Sequence, residues 1–457
     1  MTWRVALFVN LMLLMCLNLK AQAIAPLDID EGATQVALVV ELNTGDVVYE
    51  YDKHRRITPA SLTKLMTTAA ILTKEDDTET FETSIYWDKS KSVLTIVGGG
   101  DPTLDSRYLS YSKTDDLISK IEKLIGEEKY IKTLVINESY LVGAKYNSKR
   151  LWEDMGNYYG AAWSPINIAD NTFTVTMSSP NELGQRCSVV SIDSEISDSI
   201  DCYVYSYSGK ADSAYVYGTN TEQMYISGAI PNGRSYFKIK GALNSPNICF
   251  ANRIKEKLAL KGIEIKTVQY NKKTKRQIEG EKTELFSPSI LEIAQQTNQR
   301  SINLYADALL MKLGEERGET TWDRALYRLN AFVDNTAGEK SLLYDGSGLS
   351  PMNKLTASQI VSVLVKMYRS DKYKAFKSTL SVAGKNGTLV SLCKGTSLEG
   401  RIMGKSGTMN GVKGYAGYIT NDKNKELVFC IVVNNYTETT KELVNKIERW
   451  LVELVKK

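Results

Sequence analysis

The sequence predicts a mixed α/β (α+β) protein of two or three domains, one of them split by an insertion. Without a leader, ~430 residues remain, which is more than a single hydrophobic core usually serves. Helix and strand signals that suit one domain occur at both ends, over residues 24–75 and 286–457. Between them, residues 76–285 have a different pattern of short strands, helices and turn residues. We therefore expect one domain built from both ends of the chain and an inserted domain between them.

The first elements predicted are a hairpin and a helix. Residues 36–41 and 47–51 are strand-like and flank Asn43-Thr44-Gly45-Asp46, a turn signal. Pro59 marks a helix start, and the apolar residues that follow at helical spacing are Leu62, Leu65, Met66, Ala69, Ala70 and Ile71. We expect a buried helix with Ser61 at its N-terminal end, where the helix dipole and free backbone N–H groups favour developing negative charge.

Residues 76–285 are predicted to form the inserted domain. A sheet-and-helix unit is indicated by strands at 85–87, 93–97 and 133–136 and helices at 115–125 and 251–260. Residues 173–226 are rich in Ser, Tyr and Val in short alternating runs, so a nested β-rich subdomain is predicted over 172–235.

After residue 286 the chain returns to the first domain. Residues 290–313 have helical periodicity, and residues 427–433 are apolar enough for a buried strand after a turn at 421–424. Residues 440–457 place apolar side chains on one helical face. We expect this helix to pack on the sheet beside the first hairpin; the alternative is peripheral contact with a membrane surface.

The first 23 residues have the pattern of a secretory signal peptide. Arg4 supplies the positive start, residues 6–17 the apolar run, and Ala21-Gln22-Ala23 the small-residue cleavage site. We expect a mature chain secreted to the periplasm or cell envelope, with an uncleaved anchor as the alternative. No second apolar run reaches the ~18 residues needed to span a bilayer.

Charge and cysteine content exclude other classes of function. The net charge of +4 includes two positive charges in the leader. The nearly neutral mature chain lacks the excess of basic residues that is typical of nucleic-acid-binding proteins. The cysteine spacings suit no metal, and the single histidine can supply only one imidazole ligand. We predict no metal and no cofactor. Cys187 and Cys202 bracket a strand-rich stretch and could pair in an oxidising compartment.

The scarcity of histidine makes one short motif informative. With only His54 in 457 residues, a serine enzyme built from this chain needs a base other than imidazole. Ser61-Leu62-Thr63-Lys64 places a lysine three positions after a serine on one helix face, where the amine can reach the hydroxyl. Further Ser-x-x-Lys copies, which we interpret as chance matches, occur at residues 110–113, 235–238 and 391–394.

Two more motifs follow along the chain. Ser301-Ile302-Asn303 lies inside the helical segment 290–313, whereas the Ser-x-Asn copies at 179–181 and 245–247 contain proline and are predicted to be loops. Lys405-Ser406-Gly407-Thr408 stands ahead of the buried strand at 427–433. Each motif is weak alone, but three in this order form a strong joint signal.

The ordered set of Ser-x-x-Lys, Ser-x-Asn and Lys-Ser-Gly-Thr resembles that of the penicillin-binding proteins and serine β-lactamases. The likeness is greatest to the D-alanyl-D-alanine carboxypeptidase/endopeptidases called low-molecular-mass class C penicillin-binding proteins. It covers essentially the whole mature chain, including residues 59–65, 98–104, 303–306 and 345–350. The resemblance implies an antiparallel sheet flanked by helices, and the ~240 residues between the first two motifs imply an inserted domain with a small domain nested in it.

The resemblance also implies a role for each motif residue. Ser61 would attack the carbonyl between two D-alanines, and Lys64 would take its proton. Burial and a second cation, Lys405, would lower the pKa of Lys64. Ser301 would relay a proton to the leaving amine, and Asn303 would position Lys64 and the substrate amide.

The remaining site residues are expected to bind substrate. Ser406 and Thr408 would hold the substrate's terminal carboxylate together with the lysine of their motif. Gly407 would leave room for a substrate lying along the strand, and the backbone N–H groups of Ser61 and Thr408 would form an oxyanion hole. Asp154 matches a position where the family places an acid over the substrate, which would suit the ammonium of a diaminopimelate side chain; an ordinary helix-capping acid is the alternative.

The expected substrates are peptidoglycan stem peptides, with β-lactams as covalent inhibitors. A β-lactamase or D-amino-acid esterase/amidase would use the same chemistry, but no convincing glutamate for activating the deacylating water is evident. A non-catalytic wall-binding protein should have lost its motifs, and all three are intact. Asp345-Gly346-Ser347-Gly348 is predicted to be a structural turn.

Overall fold

The computed structural model describes residues 24–110, 113–193, 200–218, 224–272 and 278–456. The predicted signal peptide, residues 1–23, lies outside the described residues. Within the described ranges, no helix combines the length and the apolar character needed to cross a membrane.

The elements are numbered in chain order. The strands are β1 (Thr34–Glu41), β2 (Val47–Tyr51), β3 (Glu82–Asp88), β4 (Val93–Val97), β5 (Tyr130–Asn137), β6 (Thr172–Ser179), β7 (Ser188–Asp193), β8 (Asp201–Tyr207), β9 (Tyr215–Tyr217), β10 (Tyr225–Pro231), β11 (Arg234–Ala242), β12 (Glu264–Asn271), β13 (Glu281–Phe286), β14 (Ser381–Val382), β15 (Ile402–Met409), β16 (Val412–Thr420) and β17 (Glu426–Asn434). The α-helices are α1 (Thr63–Lys74), α2 (Thr114–Ile125), α3 (Trp152–Met155), α4 (Pro246–Leu260), α5 (Ile290–Arg300), α6 (Asn303–Leu313), α7 (Trp322–Ala337), α8 (Ala357–Tyr368), α9 (Tyr373–Ser378) and α10 (Thr440–Leu454).

Both ends of the chain contribute to one antiparallel sheet. Its order is β14-β15-β16-β17-β1-β2, so the N-terminal hairpin is added beside the C-terminal strands. Strand β17 alternates between two cores, because successive side chains point to opposite faces. Val428, Cys430 and Val432 join one core, whereas Phe429 and Ile431 join the other.

Helices cover both faces of this sheet. Helix α1 is buried among α5, α6, α7 and α8 on one face. Helix α10 covers the other face with Leu443, Ile447 and Leu451, and its Trp450 ring meets Tyr49 of the first hairpin edge-on at 5.1 Å. The predicted packing of the terminal helix is therefore confirmed, and its apolar side chains are used within the fold rather than left for a membrane.

A second, mixed sheet is built from strands between residues 82 and 286, so it extends one residue past the predicted boundary at 285. Its order is β12-β5-β4-β3-β13, with β4–β5 and β5–β12 parallel. Helices α2 and α4 share one core with this sheet, which includes Leu117, Ile254, Leu94 and Ile136.

Strands β6 to β11 form two smaller sheets, ordered β11-β6-β7 and β8-β10-β9. Inward side chains of both, including Val175, Val204 and Ile226, belong to the same core. Cys187 and Cys202 are neighbouring free thiols, with Cys202 Sγ 3.4 Å from the Cys187 carbonyl oxygen.

Two local predictions were wrong. Segment 290–313 is not one helix, because Ser301 adopts the left-handed conformation (φ 61°, ψ 38°) and separates α5 from α6. The predicted loop at 245–247 instead begins α4, with Ser245 as N-cap and Pro246 as the first helical residue. Proline suits that position because its fixed φ is helical and the N–H it lacks has no helical partner there.

Candidate active site

Ser61 and Lys64 lie side by side where α1 begins. The 3₁₀ turn Ala60–Leu62 leads into the helix, and the three-residue spacing brings the two side chains onto one face. Lys64 Nζ is 3.0 Å from Ser61 Oγ. Burial lowers the pKa of the fully buried Lys64 to about 7, against the opposing effect of nearby carboxylates. Such a lysine is substantially neutral at neutral pH and can accept the serine proton.

Two more oxygen atoms hold the Lys64 side chain. Its Nζ donates to Asn303 Oδ1 at 2.6 Å and to the Ser347 carbonyl oxygen at 2.6 Å. Asn303 is itself oriented, because its Nδ2 donates to the Tyr159 carbonyl oxygen at 2.8 Å. The Lys64 side chain is therefore fixed, directly or through Asn303, by groups from three separate segments of the chain.

Ser301 and Lys405 form a second hydroxyl–amine pair. The left-handed backbone at Ser301 ends α5, and Lys405 Nζ on β15 lies 3.0 Å from Ser301 Oγ. Burial holds the pKa of Lys405 well below its ordinary value, and the charges of Lys64 and Lys413 lower it further. Arg150 adds to the effect of burial on the pKa of Lys64, and the repulsion between Lys64 and Lys405 lowers the pKa of Lys405.

Strand β15 passes directly over the Ser61 turn. A Cβ atom on Gly407 would lie 2.7 Å from the Pro59 carbonyl oxygen and 3.1 Å from Leu62 Cγ. Glycine is thus required here because a side chain would collide with the Ser61 turn. From the sequence, Gly407 was expected to leave room for substrate. Ser406 is buried and Thr408 is exposed.

The turn at Asp345 lies against the Ser61 turn. The Asp345 carboxylate accepts from the Gly348 backbone N–H at 2.7 Å. Gly348 has φ 79°, and a Cβ atom there would lie 1.9 Å from the Ala60 carbonyl oxygen. The prediction of a structural turn is confirmed, and the turn also supplies Ser347, whose carbonyl binds Lys64.

A buried ion pair joins residue 150 to helix α6. Arg150 Nη2 contacts Asp307 Oδ2, and the side chains are 3% and 0% exposed. Arg150 Nη1 also donates to the Gly160 carbonyl oxygen at 2.9 Å. Burial raises the pKa of Asp307 to about 6 although Arg150 opposes this. Both charges act on Lys64, Asp307 raising its pKa and Arg150 lowering it.

Asp154 is connected to the site through Tyr159. It lies on the short helix α3, is half-buried, and accepts a hydrogen bond from the Tyr159 side chain; burial raises its pKa. The Tyr159 carbonyl oxygen binds Asn303. Glu153, its acidic neighbour, is exposed.

A protein-family model described as the D-Ala-D-Ala carboxypeptidase 3 (S13) family matches residues 21–454. The chain belongs to this family. As a D-Ala-D-Ala carboxypeptidase family member it is a hydrolase, and the resemblance drawn from the three motifs is confirmed.

Individual relatives of this carboxypeptidase are distant but extend over most of its length. The "D-alanyl-D-alanine carboxypeptidase" of Actinomadura sp. (strain R39) is 27% identical over 439 residues, 89% of this chain and 79% of the relative. "Penicillin-sensitive carboxypeptidase A" of Dictyostelium discoideum is 24% identical, over 90% of this chain and 84% of the relative. The solved structure of penicillin binding protein 4 from Haemophilus influenzae matches with a TM-score of 0.79 at 20% identity, over 94% of this chain and 98% of that one. The predicted fold, a transpeptidase-type domain with an insertion, is confirmed.

Sequence reasoning found the motif residues and missed those that orient them. Arg150, Asp307 and Tyr159 belong to no recognised motif, and only the tertiary fold brings them to Lys64. Ser347 lies in the segment predicted to be a turn, but its contact with Lys64 is made by the backbone carbonyl, which a pattern of side chains cannot predict.

Proposed function

We propose that this carboxypeptidase family member is a serine-type D-Ala-D-Ala carboxypeptidase/endopeptidase that acts on peptidoglycan stem peptides through an acyl-enzyme on Ser61. The observation that carries the proposal is the 3.0 Å contact between Ser61 Oγ and Lys64 Nζ, with a lysine pKa of about 7. The names of the relatives, a D-alanyl-D-alanine carboxypeptidase and a penicillin-sensitive carboxypeptidase, support the same substrate class.

Acylation begins when Ser61 Oγ attacks the carbonyl carbon between the two D-alanines and Lys64 takes its proton. Backbone N–H groups of Ser61 and Thr408 stabilise the tetrahedral oxyanion, each typically worth ~3 kcal/mol. Collapse breaks the C–N bond, leaving an ester on Ser61. A water molecule then hydrolyses the ester, again with Lys64 as base.

The leaving amine of the terminal D-alanine needs a proton. The proton that Lys64 took from Ser61 passes to this amine through the Ser301 hydroxyl, which lies 3.0 Å from Lys405 Nζ, and the transfer returns Lys64 to its neutral form before deacylation. Lys405 also holds the terminal carboxylate of the substrate, together with Ser406 and Thr408. Asn303 keeps Lys64 in place through its 2.6 Å contact and offers its amide to the substrate.

Asp154 binds the free ammonium of a diaminopimelate-type side chain. Its partial burial strengthens a charge interaction with a bound cation, and the hydrogen bond from Tyr159 orients the carboxylate. Penicillins acylate Ser61 because their strained amide takes the place of the D-Ala-D-Ala bond.

The proposed setting is the periplasm or cell envelope, reached through the signal peptide. We propose a catalytic domain of residues 24–75 and 286–457 and an inserted domain of 76–285 that contains the nested subdomain 172–235. The sheet shared by both ends of the chain and the separate sheets between them support the split, and strand β11 extends the nested sheets to Ala242.

Release of D-alanine from a pentapeptide ending in D-Ala-D-Ala tests the function. Purified residues 24–457 should release D-alanine, and Ser61→Ala should reduce release to background. Ser110→Ala removes an exposed serine of another Ser-x-x-Lys copy and should leave release unchanged. Release by Ser61→Ala at the unmutated rate would contradict the proposal.

A further inference from the structure

One face of the small sheet β8-β10-β9 is covered by aromatic side chains. Along these strands Val204, Val216 and Ile226 point into the core, and the residues beside them point outward because strand side chains alternate. The outward residues include Tyr203, Tyr205, Tyr215, Tyr217 and Tyr225, which together with Trp152 we call the aromatic face. Tyr203, Tyr205 and Tyr215 are 46%, 47% and 41% exposed.

The strand register gives the aromatic face the form of a trough. On the central strand β10, Ser227 pairs with Tyr203 of β8 on one side and with Tyr215 of β9 on the other. The next outward residue, Ala229, pairs with Tyr205. Beyond Tyr225, small side chains therefore form the floor. At Ser227 a tyrosine stands on each side, and these two walls are ~9.6 Å apart because they lie two strands from each other.

The aromatic face continues towards the active site. The rings of Tyr217 and Tyr225 are stacked at 5.1 Å, and the Trp152 ring stacks on Tyr217 at 5.9 Å. Trp152 is 47% exposed and begins helix α3, which also carries Asp154. Asp154 is connected through Tyr159 to Asn303 of the active site.

The chemistry of this face is aromatic, hydroxylated and close to neutral. Asp201 is the only charged residue among the outward positions of the three described strands, and the Arg186 guanidinium lies over the Tyr203 ring at 5.1 Å. Within the described part of the chain, the hydroxyl groups of Tyr203, Tyr205 and Tyr215 have no hydrogen-bond partner. Exposed aromatic patches of this kind mark binding sites, and tyrosine offers a ring for stacking and a hydroxyl for hydrogen bonding.

We propose that the aromatic face binds the amino-sugar strand to which the substrate peptides are attached. Rings in the walls stack on the C–H faces of the sugars, while phenol hydroxyls and Ser227 bond their hydroxyl and acetamido groups. A polyanion finds no basic surface here, and a neutral polysaccharide needs none. The inference rests on the proposed function, because a peptide that reaches Ser61 from a polymer holds that polymer close to the same site.

Binding of uncharged N-acetylglucosamine strands, as insoluble chitin and as soluble oligomers, tests the proposal. Purified residues 24–457 should bind these strands by cosedimentation and by change in tryptophan fluorescence. Tyr203→Ala/Tyr215→Ala should weaken binding at least 10-fold. The matched control is Tyr236→Ala, which removes a 77% exposed tyrosine from strand β11 of the other small sheet and should leave binding unchanged.

A second readout separates this site from the chemistry at Ser61. The double variant should cleave a soluble pentapeptide and react with penicillin at the unmutated rate, while its turnover of intact glycan-linked substrate falls at least 10-fold. Circular dichroism checks its fold, and Tyr205→Ala replaces it if it unfolds.

Four results would overturn the inference: absence of glycan binding by the unmutated chain, equal binding by the double variant, equal loss in Tyr236→Ala, or self-association that the double variant abolishes in place of glycan binding. Glycan binding without any reaction at Ser61 would instead contradict the proposed function, while the inference of a glycan-binding site would still be supported.

Discussion

Replacing Asp307 with Asn should lower the pKa of Lys64, the proposed catalytic base. Asp307 raises the pKa of Lys64, whereas Arg150 lowers it. The substitution removes the carboxylate and leaves Arg150 charged, because arginine keeps its proton in proteins. The loss of the carboxylate and the remaining charge of Arg150 both favour a lower pKa of Lys64. The other charges that face Lys64, Asp345 and Lys405, are unchanged.

The magnitude follows from the geometry. Asp307 lies one helical turn from Asn303, and Asn303 Oδ1 is 2.6 Å from Lys64 Nζ. At a separation of ~8 Å and an effective dielectric of ~20, two unit charges interact by ~2 kcal/mol. That energy corresponds to ~1.5 pKa units. The midpoint of the Lys64 titration should therefore fall from about 7 by ~1 to 1.5 units.

The assay is the rate of penicillin acylation between pH 5 and 9. In the unmutated protein the rate should rise through pH 7 as Lys64 becomes neutral, and in Asp307→Asn the rise should occur at lower pH. The control is Asp46→Asn, which removes the same charge from the exposed turn of the first hairpin and should leave the profile in place. An unchanged or higher midpoint in Asp307→Asn would refute the reasoning.

Stability gives this variant an independent readout. Burial raises the pKa of Asp307 from 3.8 to about 6, so the unfolded chain loses this proton at lower pH than the folded chain. Stability from this group is present below pH ~4 and is lost as the pH rises through ~6, by ~3 kcal/mol. Asp307→Asn should lose that pH dependence, because its amide is neutral at every pH and mimics the protonated carboxyl. Urea unfolding at pH 4 and pH 7 measures the loss; a stability difference between the two pH values as large as in the unmutated protein would contradict the raised pKa.

Other substitutions test single contacts. Lys64→Ala should slow acylation by penicillin ~10² to 10⁴-fold without unfolding the protein; near-normal acylation would mean that another base acts. Asp154→Asn should weaken turnover of peptides with a free diaminopimelate amine by ~1–3 kcal/mol and hardly change penicillin acylation. Equal losses on both substrates would make Asp154 structural, and a selective loss only in Glu153→Gln would move the role to that residue. Gly407→Ala should push β15 off the Ser61 turn and cost ~1–3 kcal/mol in urea unfolding, with slower acylation; unaltered stability would contradict the contact with Pro59.

The local spacing of apolar residues predicted those helices and strands whose conformation depends mainly on their own sequence. The hairpin strands, the Ser61 helix and the terminal helix occur where periodicity places them, because apolar spacing specifies one buried face in each. Strand β17 was predicted as buried from its apolar run alone, and it lies within the shared sheet with a core on each face.

The sequence pattern did not predict features that depend on the backbone conformation of one residue or on contacts between distant parts of the chain. Helical periodicity continues through Ser301, so nothing in it signals the left-handed residue that separates α5 from α6. That break brings Ser301 to Lys405, which is a tertiary requirement. Arg150 and Asp307 are 157 positions apart, and a buried pair of this kind has no sequence periodicity. The family and the hydrolase class could thus be predicted from motifs, whereas the groups that shift the pKa of Lys64 could be identified only from the fold.

The most direct test of Ser61 as the nucleophile is intact mass followed by peptide mapping after incubation with a penicillin. The account predicts one penicillin per chain, on the peptide that contains Ser61, in the unmutated protein and in Ser110→Ala, and no adduct in Ser61→Ala. An adduct on another residue, or one that survives Ser61→Ala, would contradict it.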